Sequence, residues 1–421
     1  MSKRSSRDVR RASRFEVLHR VYTLGSASRH ELAAVSGLSP ATVANVVSEL
    51  LSWGVLTEVS TEDSGGGRPR ARLAVNPARG SVIGVDVAET YIQVDVFDLA
   101  LEVRATVQQP LHAEHNRPDD VLDRIERLVE AALAQAGVAQ SEVLGAGVSM
   151  PGQVDRVGGV SVFAPNFSWQ QVPFIRLLSE RLALPLHLDN PLKASTMAEL
   201  WFGAGRREDD LAVLTVGTGV GAGFAIGGAL VRGMSNSAGE WGHSVIVIDG
   251  RLCRCGNRGC IEAYVGAPGI MQLLRESSAT SDLLHPEDQS ATINALAAAL
   301  ARNDPAAEAV LYETARYLGV GLGNLINTLN PAVIVVGGWV TDLIGKWLLP
   351  AATGMAARHT FDRTFSATRI EMSTLSRNPV SLGAGIFALE GFLDSLGVSS
   401  YHDSTRHQQA IATTTSPRPN P

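Results

Sequence analysis

The chain has little of what several classes of protein need. Only three of its 421 residues are cysteines, which excludes a disulfide framework. The basic N-terminus is followed by no apolar segment like that of a signal peptide, and glycine, asparagine or proline interrupts the two long uncharged runs. An apolar content of 45% is enough for two or three domain cores. We therefore expect a soluble cytoplasmic protein with no membrane partner.

Positive charge is scarce in most of the chain and is concentrated at its start. The formal net charge is −6, yet residues 1–60 contain more lysine and arginine than acidic residues. This balance leaves the rest of the chain acidic, as expected when one end of a protein meets an anionic polymer.

The three cysteines lie within eight residues of one another and predict a metal site. Cys253, Cys255 and Cys260 supply three thiolates, and His243 lies ten residues upstream. Together they make a Cys3His set suited to tetrahedral Zn²⁺. The alternative is a buried histidine beside incidental thiols, which the clustering disfavours. Four protein ligands leave no position for a catalytic water, so we predict a structural zinc in a loop over residues 243–260.

The first 76 residues carry the boundary signals of three short helices. A basic flexible arm over residues 1–11 precedes an apolar stripe over residues 14–24. Ser28 caps the second helix, with Glu31 placed for a capping box, and Ser39 caps the third. We predict a winged helix-turn-helix domain over residues 12–76, although an ordinary three-helix bundle has a similar pattern.

The third helix would enter the major groove of double-stranded DNA. Asn45 is the residue best suited to read an adenine edge. The wing strands are predicted over residues 55–59 and 72–75, and the arginines of the wing, including Arg72, would contact phosphate. The predicted DNA-binding residues are Ser39, Pro40, Ala41, Thr42, Asn45, Arg68 and Arg70.

From residue 80 onward the pattern is that of an α/β protein. A loop over residues 164–174 is predicted to present Asn166 and Trp169, and a buried strand ends at Asp189. Alternating glycines over residues 217–223 either cradle an anion or allow tight strand packing. Residues 396–421 lack apolar periodicity, so we expect a disordered tail.

The motifs together resemble those of the ROK family, which groups sugar kinases with sugar-responsive transcriptional repressors. The segment AGEWGH is similar to the family's AGExGH element, CRCGNRGCIE to its zinc signature, and LNPAVIVVGG to its nucleotide-side strand. The resemblance spans about residues 12 to 395. It implies an actin-like, ribonuclease-H duplicated fold with two lobes over residues 80–395.

The resemblance also implies a sugar site. Positions that contact the sugar in the family correspond here to Asn166, Asn190, Glu240, His243 and Glu262. His243 would then have two roles, with one ring nitrogen on zinc and the ring held against the ligand.

Two departures from the family pattern separate a regulator from a kinase. Where the kinases keep an Asn-Asp pair, this chain has Asn190 and Pro191, and proline cannot accept a proton. Where they keep the phosphate loop Asp-x-Gly-Gly-Thr, it has Asp86-Val87-Ala88-Glu89-Thr90. Side chains replace the glycines, and Glu89 would repel phosphate. We therefore expect no enzymatic activity.

We expect a DNA-binding repressor of carbohydrate uptake or catabolism genes, controlled by a sugar or sugar phosphate. Lys193 either contacts an anionic effector or is a solvated lysine. A helix-turn-helix monomer reads few base pairs, so a homodimer or tetramer on a palindromic operator is expected. The alternatives are an ATP-dependent sugar kinase that carries a DNA-binding head, and a regulator that responds to a protein partner instead of a sugar.

Overall fold

The computed structural model describes residues 6–62, 70–112, 116–277 and 282–399. The chain divides into two compact units. Unit 1 comprises Met1–Trp201, Met234–Asn236 and Arg377–Pro421, and unit 2 comprises Phe202–Gly233 and Ser237–Ser376.

Unit 1 begins with a small N-terminal domain, here called the head. It contains three helices and a three-stranded antiparallel sheet of order β1-β3-β2. The helices are α1 (Ser6–Leu24), α2 (Arg29–Ser36) and α3 (Pro40–Ser52), and the strands are β1 (Ala27–Ser28), β2 (Leu56–Glu62) and β3 (Arg70–Val75).

The predicted N-terminal caps of the second and third helices of the head agree with the structure. Ser28 accepts the Glu31 N–H, and the Glu31 carboxylate accepts the Ser28 N–H, which completes the capping box of α2. Ser39 caps α3 by accepting the Thr42 N–H at 3.1 Å. The apolar stripe of α3 is buried in the head.

The start of α1 differs from its prediction. The helix begins at Ser6, so residues 6–11, predicted as part of a flexible arm, are helical. Two arginines of this segment have internal partners: Arg10 pairs with Glu49 on α3, as Arg14 further along α1 does, and Arg11 pairs with Asp394. These tertiary ion pairs hold the segment as helix, which local composition does not reveal.

The rest of unit 1 is built on a five-stranded sheet of order β11-β7-β4-β5-β6, in which β11, β7 and β4 are parallel and β4, β5 and β6 antiparallel. Its strands are β4 (Ser81–Val87), β5 (Tyr91–Asp98), β6 (Val103–Pro110), β7 (Val143–Ser149) and β11 (Leu186–Asp189). A three-stranded sheet adds β8 (Gln153–Asp155), β9 (Val160–Ala164) and β10 (Trp169–Val172).

Helices pack on this sheet. The helix that follows β6 in the chain packs its apolar stripe into the hydrophobic core that contains Ile83, Val85 and Val94. The helices of this part are α4 (Pro118–Ala136), α5 (Phe174–Ser179), α6 (Pro191–Phe202) and α13 (Pro379–Ser395).

Unit 2 repeats the arrangement. Its sheet has the order β14-β13-β12-β15-β16, again with three antiparallel strands followed by parallel ones. The strands are β12 (Leu211–Val216), β13 (Val220–Ile226), β14 (Ala229–Leu230), β15 (Val333–Gly337) and β16 (Arg369–Met372). The helices are α7 (Glu262–Val265), α8 (Ala267–Glu276), α9 (Gln289–Leu300), α10 (Pro305–Leu329), α11 (Trp339–Ala357) and α12 (Asp362–Ser366).

The two matching sheets confirm the predicted duplicated α/β fold behind a helical, winged head. The tail departs from its prediction in part, because Val398 is buried and Arg14 donates to the Gly397 carbonyl at 3.1 Å. Residues 400–421 of the predicted tail lie outside the described part of the chain. Within the described ranges, no helix combines the length and apolar composition needed to cross a membrane.

Candidate functional site

The zinc loop of unit 2 brings its four predicted ligands together. The ligand atoms of His243, Cys253, Cys255 and Cys260 all lie within 4.8 Å of one another. Two isolated antiparallel bridges, at residues 245/260 and 252/258, fold the segment back on itself.

The distances inside this cluster match a tetrahedral zinc site. The Cys255 and Cys260 sulfurs are 3.8 Å apart, and the Cys253 sulfur is 3.7 Å from the His243 Nδ1. A tetrahedron of Zn–S bonds of about 2.3 Å has edges of about 3.8 Å. Burial raises the pKa of the Cys253 thiol to about 12, so a cation is needed to hold that sulfur as thiolate at neutral pH. The donor set therefore fits structural zinc.

His243 is oriented so that its two ring nitrogens face different groups. Nδ1 lies beside Cys253, whereas Nε2 is 3.9 Å from a carboxylate oxygen of Glu240. His243 ends a short 3-10 turn, and Gly239 precedes that turn with a φ of +108°. A Cβ on Gly239 would lie 2.1 Å from the Ala222 carbonyl oxygen, so only glycine lets this element lie against β13.

Glu262 connects the zinc loop to the second sheet. One carboxylate oxygen accepts the Val220 N–H at 3.0 Å, and the other is 3.5 Å from the Cys253 sulfur and 3.8 Å from Arg254 Nε. The side chain is buried. Three of the five residues expected to contact the sugar, Glu240, His243 and Glu262, thus lie together in unit 2.

The other two, Asn166 and Asn190, belong to unit 1. Asn190 is buried, and its side-chain oxygen accepts the Lys193 N–H at 3.0 Å at the start of α6. Asn166 is exposed and donates a short hydrogen bond to Glu89. In the sequence Glu89 signals only repulsion of phosphate, and its contact with Asn166 was not predicted.

The segment that corresponds to a phosphate loop holds its aspartate in a buried network. One oxygen of Asp86 accepts from the Tyr91 hydroxyl at 2.8 Å and from the Asn378 amide at 2.9 Å. Burial is the main cause that raises the pKa of Asp86, and nearby Asp95 adds to it, while these two hydrogen bonds oppose it. Asp86 is therefore engaged within unit 1 and is only 3% exposed.

Two side chains of unit 1 lie where the sequence did not predict them. Trp169 is buried in β10, where it packs against Phe167 and Phe174 and donates to the Asn116 carbonyl at 2.8 Å, so it is not presented to a ligand. Lys193 is 1% exposed, so the interpretation as a solvated lysine is wrong.

The α3 face of the head carries the predicted base-contacting side chains. Ser39, Pro40, Ala41 and Asn45 are exposed and Thr42 is half-buried, its hydroxyl 2.8 Å from that of Ser39. The named side chains on this face are uncharged.

The structure describes the predicted wing arginines to different extents. Arg72, for which a phosphate contact was predicted, is engaged within the head, because its guanidinium donates to the Ser26 carbonyl at 2.7 Å and to the Glu31 carboxylate at 3.4 Å. Arg68 lies outside the described residues, and of Arg70 only the backbone in β3 is described. Both remain predictions.

Comparison with known proteins gives the family. The model of the ROK family matches residues 82–390. The chain belongs to the ROK family. This ROK chain is similar to a xylose repressor from Caldicellulosiruptor bescii, with 29% identity over 360 residues that cover 85% of this chain and 90% of the relative. It is also similar to a glucokinase from Streptomyces coelicolor, with 31% identity over 271 residues that cover 62% and 83% of the two chains.

A solved structure shows the same fold as this ROK chain over nearly its whole length. It is a ROK family transcriptional regulator, a homologue of the E. coli MLC protein, with a TM-score of 0.74 and 23% identity. The superposition covers 91% of this chain and 98% of that one. The similarity to kinases covers less of the chain than the similarity to regulators does.

Proposed function

We propose that this chain is a sugar-responsive transcriptional repressor that binds a palindromic operator and does not phosphorylate its ligand. The observation that carries the proposal is a capped helix-turn-helix with an exposed polar α3 face, joined to a ROK domain with Pro191 at the position of the kinase base. The alignment with a xylose repressor extends over 90% of that relative.

The ligand we infer is a neutral aldose. Carboxylates and amides suit a polyol because each hydroxyl both donates and accepts a hydrogen bond. Glu89 bonded to Asn166 supplies a carboxylate in unit 1, where Pro191 has removed one. Lys193 is buried with polar interactions of its own, which argues against a role as the contact for a phosphorylated effector.

Phosphoryl transfer is disfavoured by three features of unit 1. Pro191 has no group that can take a proton from a sugar hydroxyl. Ala88 and Glu89 replace the glycines that let a backbone approach phosphate. Asp86 is occupied by Tyr91 and Asn378.

We assign a structural Zn²⁺ to His243, Cys253, Cys255 and Cys260. The metal, when bound, holds the thiolates and fixes the imidazole. Coordination through Nδ1 leaves Nε2 of His243 on the side of Glu240, where both groups can hold a ligand hydroxyl. We also propose that the protein acts as a homodimer or tetramer, because one head reads only a half-site.

The test combines operator selection with one binding measurement and one activity assay. A duplex selected from random DNA is titrated with the protein by fluorescence anisotropy, with and without D-xylose, D-glucose and their phosphates. A coupled ADP-release assay runs on the same sugars. The proposal predicts that one neutral sugar changes the operator Kd and that none yields ADP. ADP release would support a kinase with a DNA-binding head. An operator Kd that no sugar changes would support a regulator whose effector is a protein.

A further inference from the structure

The head is held on the rest of unit 1 by a group of four side chains, here called the aromatic cluster. Phe15, His19 and Tyr22 share one face of α1, and their ring centroids lie 6.1, 5.1 and 5.2 Å from that of Trp201 on α6. Trp201 is 1% exposed, and the Tyr22 hydroxyl donates to the Leu99 carbonyl at 2.5 Å. The position of the head therefore depends on where α6 places Trp201.

Helix α6 joins this cluster to the candidate sugar site. It starts directly after Asn190, whose side chain caps its first turn, and it ends one residue beyond Trp201. Every residue over 193–201 is buried. At about 1.5 Å per residue the helix is about 18 Å long. A buried helix moves as a unit because its neighbours are close-packed, so a displacement at Asn190 reaches Trp201.

A second helix also contacts the head. Helix α13 is capped by Asn378, which donates to Asp86, and near its end Asp394 pairs with Arg11 of the head. The two helices touch directly, since a Cβ on Gly383 would lie 1.8 Å from the Ala194 carbonyl oxygen. Movement of α6 is therefore shared with α13.

The aromatic cluster contains one histidine whose ring is incompletely hydrogen-bonded. The Nε2 of His19 is buried and has no hydrogen-bond partner among the described residues. Burial lowers the pKa of His19 to about 4, so the ring is neutral at physiological pH. A buried polar atom without a partner costs stability, which lowers the differential affinity that a ligand needs to shift this contact.

We propose that α6 transmits effector binding from Asn190 to the head, with Trp201 as the residue that positions α1. This inference rests on the proposed function, because it assumes that a sugar alters operator binding. It assigns to Trp201 a part in regulation that involves contact with neither sugar nor DNA.

The test compares Trp201→Ala and Trp201→Phe with the full-length protein. For each, the operator Kd is measured with and without saturating sugar, and the sugar Kd is measured by calorimetry. We expect Trp201→Ala to bind sugar normally while the sugar-induced change in operator Kd falls below about twofold, against the 5- to 150-fold range usual for allosteric coupling. Trp201→Phe should restore most of that change.

Phe174→Ala is the matched control, since Phe174 is a fully buried aromatic residue of the same unit that packs against Trp169. It should keep the operator response. If Trp201→Ala does not fold, the partly exposed side of the cluster is changed instead, by Phe15→Ala with His19→Ala, and the same loss is expected. If sugar changes the operator Kd of the variants as much as that of wild type, the role of Trp201 is wrong while the proposed function stands. A wild type that responds to no sugar would overturn the proposed function as well.

Discussion

Two regions depart from the family pattern to different extents. One is the zinc loop of unit 2, and the other, here called the unit 1 edge, comprises residues 86–90, 166 and 190–191 of unit 1. The zinc loop keeps all four ligands in tetrahedral spacing, together with Glu240 and Glu262. The unit 1 edge keeps Asn166 and Asn190 but has lost its base and its phosphate glycines. Under the proposed function, the comparison teaches that the residues expected to hold a sugar persist where those expected to react with it do not.

The two regions also respond to pH with opposite sign. Zinc ligation requires thiolates, so acidification weakens the loop by protonating its sulfurs. Asp86 has a raised pKa because it is buried, so its contribution is present at low pH and is lost as the pH rises. A pH series therefore separates the two sites within one protein.

The largest effect is expected for Cys255→Ser, which tests whether the zinc loop is indispensable. Removing one of four ligands should lower bound zinc from about one per chain to near zero, because tetrahedral sites need all four donors. Sugar binding should be lost with it, while the head still binds the operator. Metal analysis and calorimetry measure both. Arg258→Ala, in the same loop, is the control and should retain zinc. A zinc-free variant that still responds to sugar would contradict the role given to the loop.

A smaller effect is expected for Asn166→Ala at the unit 1 edge. The variant loses a predicted sugar contact and the partner of Glu89, so the sugar Kd should rise about tenfold, equivalent to about 1.4 kcal/mol. Calorimetry gives the value. Gln170→Ala, an exposed position two residues into the next strand, should leave the Kd unchanged. Equal affinities for the two variants would remove Asn166 from the site.

The Asp86→Asn variant should differ from wild type in how its stability depends on pH. The asparagine oxygen can still accept from Tyr91 and Asn378, which both donate to one oxygen of Asp86. Since the folded pKa is raised, wild type loses stability as the pH rises through that pKa, and the variant does not. Urea unfolding from acidic to neutral pH should show that the free energy of unfolding of the variant rises relative to that of wild type as the pH increases. A constant difference would mean that Asp86 titrates normally.

The smallest effect is expected for Pro191→Asp. The change supplies a carboxylate at the position of the kinase base, but Ala88 and Glu89 still obstruct the approach of phosphate. ADP release should stay at background, with the Streptomyces coelicolor glucokinase as the active reference. Robust turnover would show that the lost base alone separates this chain from the kinases.

Local signals in the sequence predicted much of the fold and the grouping of the four proposed zinc ligands. The capping box at Ser28 and Glu31 and the cluster of cysteines need only short spacings, so they can be read directly. The hydrogen bond of the Trp169 ring goes to Asn116, 53 residues away, and the helix that carries Lys193 packs on Gly383, which is far along the chain. Local pattern does not encode those neighbours.

The same reason explains two further differences. The early start of α1 depends on Glu49 and Asp394, and the internal role of Arg72 depends on Ser26 and Glu31. The link between Asn166 and Glu89 joins two loops 77 residues apart, so it needed three-dimensional information.

The most direct test of the account is the operator Kd of the wild-type protein with and without a saturating neutral sugar, in buffer that contains no ATP. The account predicts a change of about fivefold or more, because the sugar acts through differential binding and not through a reaction. An operator Kd that is the same with every sugar, or that changes only when ATP is added, would contradict it.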